Sequence, residues 1–156
     1  MNELTSDFLK SELGGSFYKE LYQIPDSNNT VVLHEKSGRL FVCKRLKYYD
    51  IRVYEYLSKN FSEYIPRINE YYNDGDDLIV YEEFVEGKSL DKCFHLYNDK
   101  ELLKFVDEVC EALIFLHKSD PSIIHRDIKP ENILLNKHND KKKKLKDENN
   151  EVKIFP

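Results

Sequence analysis

The sequence predicts an α+β fold, with hairpin-linked antiparallel strands in its first half and a helical part after them. Short apolar runs separated by turn residues follow one another up to position 84, with a strong hairpin turn at 73–77. The stretch 100–117 places its apolar residues on one broad helical stripe. A polar cluster at 125–132 then lies between two apolar runs, which indicates a loop held between buried anchors.

Length and composition restrict the class of protein. The chain has 156 residues, 40% of them hydrophobic, which is enough for one modest domain with its own core. The net charge of −5 argues against nucleic acid as the main partner. Neither a signal peptide nor an apolar run long enough to span a bilayer is present, so no membrane partner is expected. The three cysteines lack disulfide or metal-type spacing, and we therefore expect a soluble cytoplasmic protein.

The first elements in chain order are a helix and two strands. Apolar residues at near-helical spacing predict the N-terminal helix, which ends at Gly14-Gly15. This glycine pair is a poor phosphate loop, because no third glycine follows and no strand precedes it. Strands are expected at 21–24 and 30–34, joined by the turn Pro25–Asn29.

A third strand and a short helix come next. The turn Ser37-Gly38 leads into a strand at 39–44 that ends on Lys44. A lysine at a strand end is often simply solvated, so this pattern alone leaves its role open. The stretch 48–60 has three apolar residues on one helical stripe and predicts a short helix.

Strands flank the hairpin turn, and the second of them, at 78–84, leads into a strand-to-helix transition at 85–90. After the long helix, two more strands are expected at 133–135 and 151–154. The lysine-rich segment 136–150 between them is interpreted as a solvated hairpin tip, with a patch for nucleic acid or acidic lipid as the alternative.

The most specific pattern is the run from Ile124 to Leu135, which reads I-H-R-D-I-K-P-E-N-I-L-L. At every fixed position it resembles H-R-D-x-x-x-x-N, the catalytic loop of protein kinases. A lysine two residues after the aspartate, here Lys129, marks the Ser/Thr kinases of that family. The resemblance implies a eukaryotic-like Ser/Thr protein kinase fold, with an antiparallel-sheet N-lobe in 1–84 and a hinge and partial C-lobe in 85–156.

The resemblance also implies roles for the residues of this loop. Asp127 would be the catalytic residue that accepts the proton of the substrate hydroxyl, and Lys129 would contact the transferring phosphate. Asn132 would hold a magnesium ion through its amide oxygen. His125 and Arg126 would pack and orient the loop. The implied cofactors are ATP and Mg²⁺, and the implied partner is a protein substrate.

The ATP-binding residues follow from the same resemblance. Lys44 matches the lysine that anchors the ATP phosphates. The main-chain carbonyl of Glu83 and the N–H of Val85 match the hinge groups that bind adenine. Leu134 is expected as the floor of the adenine site. Facing it, the resemblance puts Val42 and a valine of the preceding strand, Val31 or Val32, of which we select Val32.

The sequence offers three candidates for the acidic partner of Lys44. In the family this acid stands on the helix after the third strand, where Asp50 and Glu55 are the two candidates. Glu82 is a third candidate, because the resemblance places it at the back of the nucleotide pocket, where a buried acid needs a partner. We therefore hypothesise that Glu82 pairs with Lys44.

Two departures from the family pattern bear on function. The turn Pro25–Asn29 contains no glycine where the family has its Gly-rich phosphate cover, although Asn28 and Asn29 tolerate positive φ. The sequence also reaches Pro156 without a D-F-G motif, whose aspartate holds the principal magnesium ion. We expect apolar faces left uncovered by the absent elements, and hence a completing protein partner or self-association.

These observations predict ATP-dependent phosphoryl transfer to protein Ser or Thr, slowed by the absent elements. The alternative is a non-catalytic pseudokinase or kinase fragment that binds a nucleotide or a protein. A small-molecule phosphotransferase is a more remote third possibility.

Overall fold

A computed structural model describes residues 18–137 and 150–154. The predicted N-terminal helix with Gly14-Gly15 and most of the predicted hairpin tip lie outside these residues. The chain divides into two compact units. The first contains the chain up to Tyr49 together with Ile68–Phe84, and the second contains Asp50–Arg67 together with the chain from Val85 onward. The two-lobe division at 84/85 stays a prediction, and the stretch 50–67 groups with the second unit.

The first unit is a five-stranded antiparallel sheet with the strand order β1-β2-β3-β5-β4. Its strands are β1 (Tyr18–Gln23), β2 (Thr30–His34), β3 (Arg39–Leu46), β4 (Ile68–Asp74) and β5 (Asp77–Glu83). All of the strands predicted for this part of the sequence are present. Hairpins link β1 to β2, β2 to β3 and β4 to β5, whereas β3 and β5 pair although they are not consecutive in the chain.

Opposed residues of the sheet define its two faces. On one face, Val31 lies opposite Val42, and Val42 lies opposite Glu82 in the next strand. On the other face, the ring of Tyr18 stacks on Tyr81 with centroids 3.8 Å apart. Phe41 meets Tyr18 edge-on at 5.9 Å. Apolar or aromatic packing on both faces explains why the strands carry little apolar–polar alternation.

The hairpin between β4 and β5 is stabilised by a glycine in its turn and by ion pairs with Arg45. Gly75 has a φ of 64°, a conformation that glycine adopts at little steric cost. The guanidinium of Arg45 on β3 contacts the carboxylates of both Asp74 and Asp77, the latter at 2.8 Å. This arrangement confirms the turn predicted at 73–77 and ties it to the neighbouring strand.

The second unit combines helices with a three-stranded antiparallel sheet of order β6-β7-β8. Its helices are α1 (Ile51–Lys59), α2 (Leu90–Cys93) and α3 (Asp99–His117). Its strands are β6 (Gly87–Ser89), β7 (Ile133–Lys137) and β8 (Asn150–Ile154), and short 3-10 turns cover Phe94–Leu96 and Pro130–Asn132. The aromatic rings of Tyr56 on α1 and Phe115 on α3 lie 5.4 Å apart.

The helix α3 begins at a reciprocal capping box. The side chain of Asn98 accepts from the N–H of Glu101 at 3.1 Å, and the Glu101 carboxylate accepts from the N–H of Asn98 at 2.8 Å. The helix buries Phe105, Ala112 and Leu116, which lie on the predicted stripe or beside it. Among the described helices, α3 included, none has the length and apolarity needed to cross a membrane.

Ser119 organises the exit from α3. Its side chain is buried, and its hydroxyl lies 2.7 Å from the carbonyl oxygen of Leu116 and 2.9 Å from that of Pro121, to either of which it donates. The same oxygen accepts from the N–H of Ile123 at 3.0 Å. One hydroxyl therefore fixes the path of the chain from the helix end into the loop that contains Asp127.

We expect Ser119→Ala to lower the free energy of unfolding by about 0.5–1.5 kcal/mol, because the partly buried N–H of Ile123 loses one of its two acceptors and keeps the carbonyl oxygen of Leu116 at 3.2 Å. Urea unfolding followed by circular dichroism measures this loss. Ser122→Ala is the matched control, because the Ser122 hydroxyl is exposed and donates to a single carbonyl. Equal stability of the two variants would contradict the role given to Ser119.

Candidate active site

The loop between α3 and β7 is folded back on itself by an amide and a carboxylate. The Nδ2 group of Asn132 donates to the backbone oxygen of Asp127 at 2.9 Å and to its Oδ2 at 2.9 Å. Pro130 opens the 3-10 turn that carries Asn132, where its fixed φ suits a helical start. The five-residue spacing in the sequence thus becomes a direct contact between the two side chains.

Lys129 completes a charged cluster at the same point. Its Nζ lies 3.1 Å from Oδ2 of Asp127. The ammonium of Lys129 lowers the pKa of the exposed Asp127 carboxyl below its usual value, and the hydrogen bond from Asn132 acts in the same direction. Asp127 is therefore ionised at neutral pH and able to accept a hydrogen bond from an alcohol.

The residues before Asp127 hold the loop in an unusual conformation. Arg126 has a φ of 67°, in the left-handed region that non-glycine residues rarely occupy. The N–H of Asp127 lies 3.3 Å from Nδ1 of His125 and donates to it. Strained backbone of this kind persists where surrounding contacts fix it, and it occurs often at functional sites.

A second charged contact lies in the sheet of the first unit. The Nζ of Lys44 is 2.6 Å from Oε1 of Glu82, and the exposed fractions of their side chains are 15% and 1%. At 2.6 Å this is a close, charge-assisted contact between an ammonium group and a carboxylate. Burial raises the pKa of Glu82, and the charge of Lys44 opposes that rise. The hypothesised pairing of Lys44 with Glu82 is confirmed.

The two other candidate acids lie on or beside α1. Asp50 is the N-cap of this helix and accepts from the N–H of Arg52 at 3.1 Å. Its carboxylate also accepts from the Arg52 guanidinium at 2.6 and 2.9 Å, which lowers the pKa of Asp50. Asp50 is thus engaged by its own helix, and Glu55 is exposed. The sequence left these three acids open because it does not show which are buried.

The register of the sheet corrects one predicted residue. Val31 lies opposite Val42, whereas Val32 lies opposite Phe41 and therefore on the other face. The selection of Val32 is wrong, and Val31 takes its place beside Val42. Both valines are buried, so alternation could not distinguish them in the sequence. The register depends on the β2–β3 turn, where the N–H of Gly38 donates to the oxygen of His34 at 2.8 Å.

Backbone N–H groups of the turn between β1 and β2 donate hydrogen bonds to acceptors within the same turn. The N–H of Ile24 donates to the oxygen of Asn29 at 2.8 Å, and the N–H of Ser27 donates back to the oxygen of Ile24 at 3.2 Å. The N–H of Asn29 donates to Oγ of Ser27 at 2.9 Å. Asp26, with a φ of 59°, places a carboxylate in the same turn. These three amide groups are therefore already occupied, and the turn carries a negative charge.

A family model described as "Protein kinase domain" matches residues 29–151. The chain belongs to the protein kinase family. Its antiparallel five-stranded sheet and the helices after it correspond to the N-lobe and the start of the C-lobe of that family.

Three relatives of this kinase-family chain are themselves named as serine/threonine-protein kinases. A probable serine/threonine-protein kinase of Dictyostelium discoideum is 43% identical over 67 residues, and another is 27% identical over 145 residues. A serine/threonine-protein kinase of Schizosaccharomyces pombe is 30% identical over 122 residues. The alignments cover 42, 83 and 75% of this chain, but 18, 12 and 12% of the relatives. The chain therefore spans less than a fifth of the length of these relatives.

Protein kinases generally use ATP and Mg²⁺. The residues here fit a magnesium ion in part, because the Asp127 carboxylate and the remaining amide oxygen of Asn132 are hard oxygen donors. Within residues 18–137 and 150–154, no group of three or more His, Cys, Asp or Glu side chains could hold a metal ion alone. This donor set suits magnesium, which keeps several waters and is commonly shared with substrate phosphates.

The structure also locates the predicted adenine contacts of this kinase-family chain. Glu83 is the last residue of β5, and Val85, two residues on, is buried. Leu134 lies in β7 opposite Ser89 and is half-buried. Glu83 belongs to the first unit and the other two residues to the second, so their roles toward adenine stay predictions.

We expect Lys44→Met to destabilise the chain by about 3–5 kcal/mol at neutral pH, because it leaves the buried Glu82 carboxylate without its cation. The loss should shrink as the pH falls toward the ordinary glutamate pKa of 4.5, because a carboxyl with a raised folded pKa is protonated there. Denaturant unfolding across this pH range measures the effect.

The variant Lys44→Met/Glu82→Met should recover most of the loss at neutral pH, because no unpaired charge is left in the sheet. Lys47→Met, at an exposed lysine of the same unit, is the control and should change little. Glu82→Met alone completes the double-mutant cycle. If the destabilisation in the double variant equals the sum of the destabilisations in Lys44→Met and Glu82→Met, the 2.6 Å contact contributes no interaction energy.

Proposed function

We propose that this chain carries the catalytic residues for phosphoryl transfer from ATP to a Ser or Thr hydroxyl of a protein. The observation that supports the proposal best is the cluster of Asp127, Lys129 and Asn132, joined by contacts of 2.9 and 3.1 Å. An ionised carboxylate, an ammonium group and an amide oxygen in one exposed loop are the groups that this reaction uses.

Each residue would act through its own chemistry. Asp127 would orient the substrate hydroxyl and accept its proton as the oxygen forms a bond to the γ-phosphorus. The bond from that phosphorus to the bridging oxygen breaks, and ADP leaves. Lys129 would neutralise charge on the transferring phosphoryl group, and Lys44 would anchor the nucleotide phosphates. Asn132 would direct its amide oxygen to the magnesium ion that accompanies ATP.

The choice of Ser or Thr as acceptor depends on Lys129 and on the names of the relatives. The lysine two residues after Asp127 is the pattern of Ser/Thr kinases, and the three relatives reported above are called serine/threonine-protein kinases. A protein substrate is therefore the partner that we propose.

We expect Asp127→Asn to lower the rate of phosphoryl transfer about 10²–10⁴-fold, because the amide cannot accept the hydroxyl proton. Transfer from radiolabelled ATP to a mixed Ser/Thr peptide substrate measures this rate. Asp107→Asn, at an exposed aspartate of α3, is the charge-matched control and should transfer at the unaltered rate. Equal activity of Asp127→Asn and the unmodified chain would contradict the assigned base.

A second candidate function is that of a non-catalytic module that binds a nucleotide weakly or binds a protein. The β1–β2 turn favours it, because the N–H groups of Ile24, Ser27 and Asn29 are occupied within the turn. Asp26 in the same turn would repel phosphate. Such a module would also have a surface for a protein partner or a second copy, since Leu103, Val106 and Ile114 of α3 are exposed.

The two candidates differ in a thermal-shift titration with magnesium-ATP. Both predict a rise in melting temperature of a few degrees once ATP exceeds its dissociation constant tenfold, and both predict its loss in Lys44→Ala. Only the enzyme also transfers phosphate in an Asp127-dependent manner. A shift without transfer would favour the binding module, and the absence of any shift would contradict a nucleotide site in either form.

A further inference from the structure

Both partners of the ion pair between Lys44 and Glu82 belong to one sheet. Lys44 lies opposite Val80, and Glu82 lies opposite Val42, so the two side chains meet diagonally across the adjacent strands β3 and β5. Residues two apart on a strand share a face, and diagonal neighbours on that face are within reach of long side chains. The ladder hydrogen bonds of β3 and β5 therefore set the distance between Lys44 and Glu82.

Burial makes it unfavourable for the Glu82 carboxylate to separate from the ammonium group of Lys44. Only 1% of the Glu82 side chain and 15% of the Lys44 side chain are exposed. A buried carboxylate that lost its cation would be left without a compensating charge, so the sheet favours the paired arrangement. Asp50, one of the two other acids considered as a partner of Lys44, caps α1 and binds Arg52.

We propose that Glu82 is the positioning residue for Lys44, so that the phosphate anchor is set within the sheet. This inference rests on the proposed nucleotide site. In protein kinases generally, the lysine of the third strand pairs with a glutamate on the following helix, and movement of that helix controls activity. An acid on a neighbouring strand cannot be withdrawn unless the sheet opens.

The chemistry of the lysine permits both contacts at once. An ammonium group has three N–H donors, so one lysine can contact a carboxylate and a phosphate oxygen together. The carboxylate charge of Glu82 holds the ammonium group of Lys44 in position. Glutamine at position 82 would have the same shape without that charge. Nucleotide binding in this chain should therefore respond to the charge at position 82.

The test is the affinity of the full chain for magnesium-ATP, measured by isothermal titration calorimetry on three proteins. These are the unmodified chain, Glu82→Gln and Glu55→Gln. The expected result is a loss of about tenfold or more for Glu82→Gln, as for one charge-assisted contact. Glu55→Gln removes an exposed acid of α1 and is expected to stay within about twofold of the unmodified chain.

Two results would overturn the inference while leaving the nucleotide site intact. One is unchanged affinity in Glu82→Gln, and the other is an equal loss in Glu55→Gln. An unmodified chain that binds no magnesium-ATP overturns the nucleotide site, and the inference with it. If Glu82→Gln does not fold, Glu82→Met is measured in its place, and affinity equal to that of the unmodified chain would again overturn the role of Glu82.

Discussion

The contact between Asn132 and Asp127 is the interaction on which the candidate active site depends. It joins the two ends of a loop whose flanking segments are fixed independently, by the hydroxyl of Ser119 before it and by the buried Ile133 after it. With both anchors in place, the exposed carboxylate needs no burial of its own to be held in position. The loop can therefore present charge to solvent and remain ordered, which is what a reactive acid on a surface requires.

Much of the fold and part of the site follow from the sequence, for identifiable reasons. The hairpin at Gly75 and the helix α3 are local features, and local chemistry predicts them well. The pairing of Lys44 with Glu82 was predictable through the family resemblance, which put Glu82 at the back of the nucleotide pocket, where a buried acid requires a cation. The choice between Val31 and Val32 was not, because it depends on a strand register that two adjacent buried valines do not specify.

The two charged sites differ in how they are built, and this bears on function. Asp127 and Lys129 are exposed and lie two positions apart in sequence, so their cluster forms within one loop. Lys44 and Glu82 are far apart in sequence and buried, so their pair forms only when the sheet does. In the β1–β2 turn, where the family has its phosphate cover, the N–H groups of Ile24, Ser27 and Asn29 are occupied within the turn.

The stacked rings of Tyr18 and Tyr81 have a consequence for the edge of the sheet. Among the described strands, β1 pairs with β2 alone, and its register shifts between Glu20 and Tyr22 at a bulge. Tyr18 reaches across β2 and β3 to β5, so a slip of one residue would turn its ring to the opposite side. The edge strand is thereby locked in a single alignment, and its bulge discourages added strands from other molecules, a defence against aggregation.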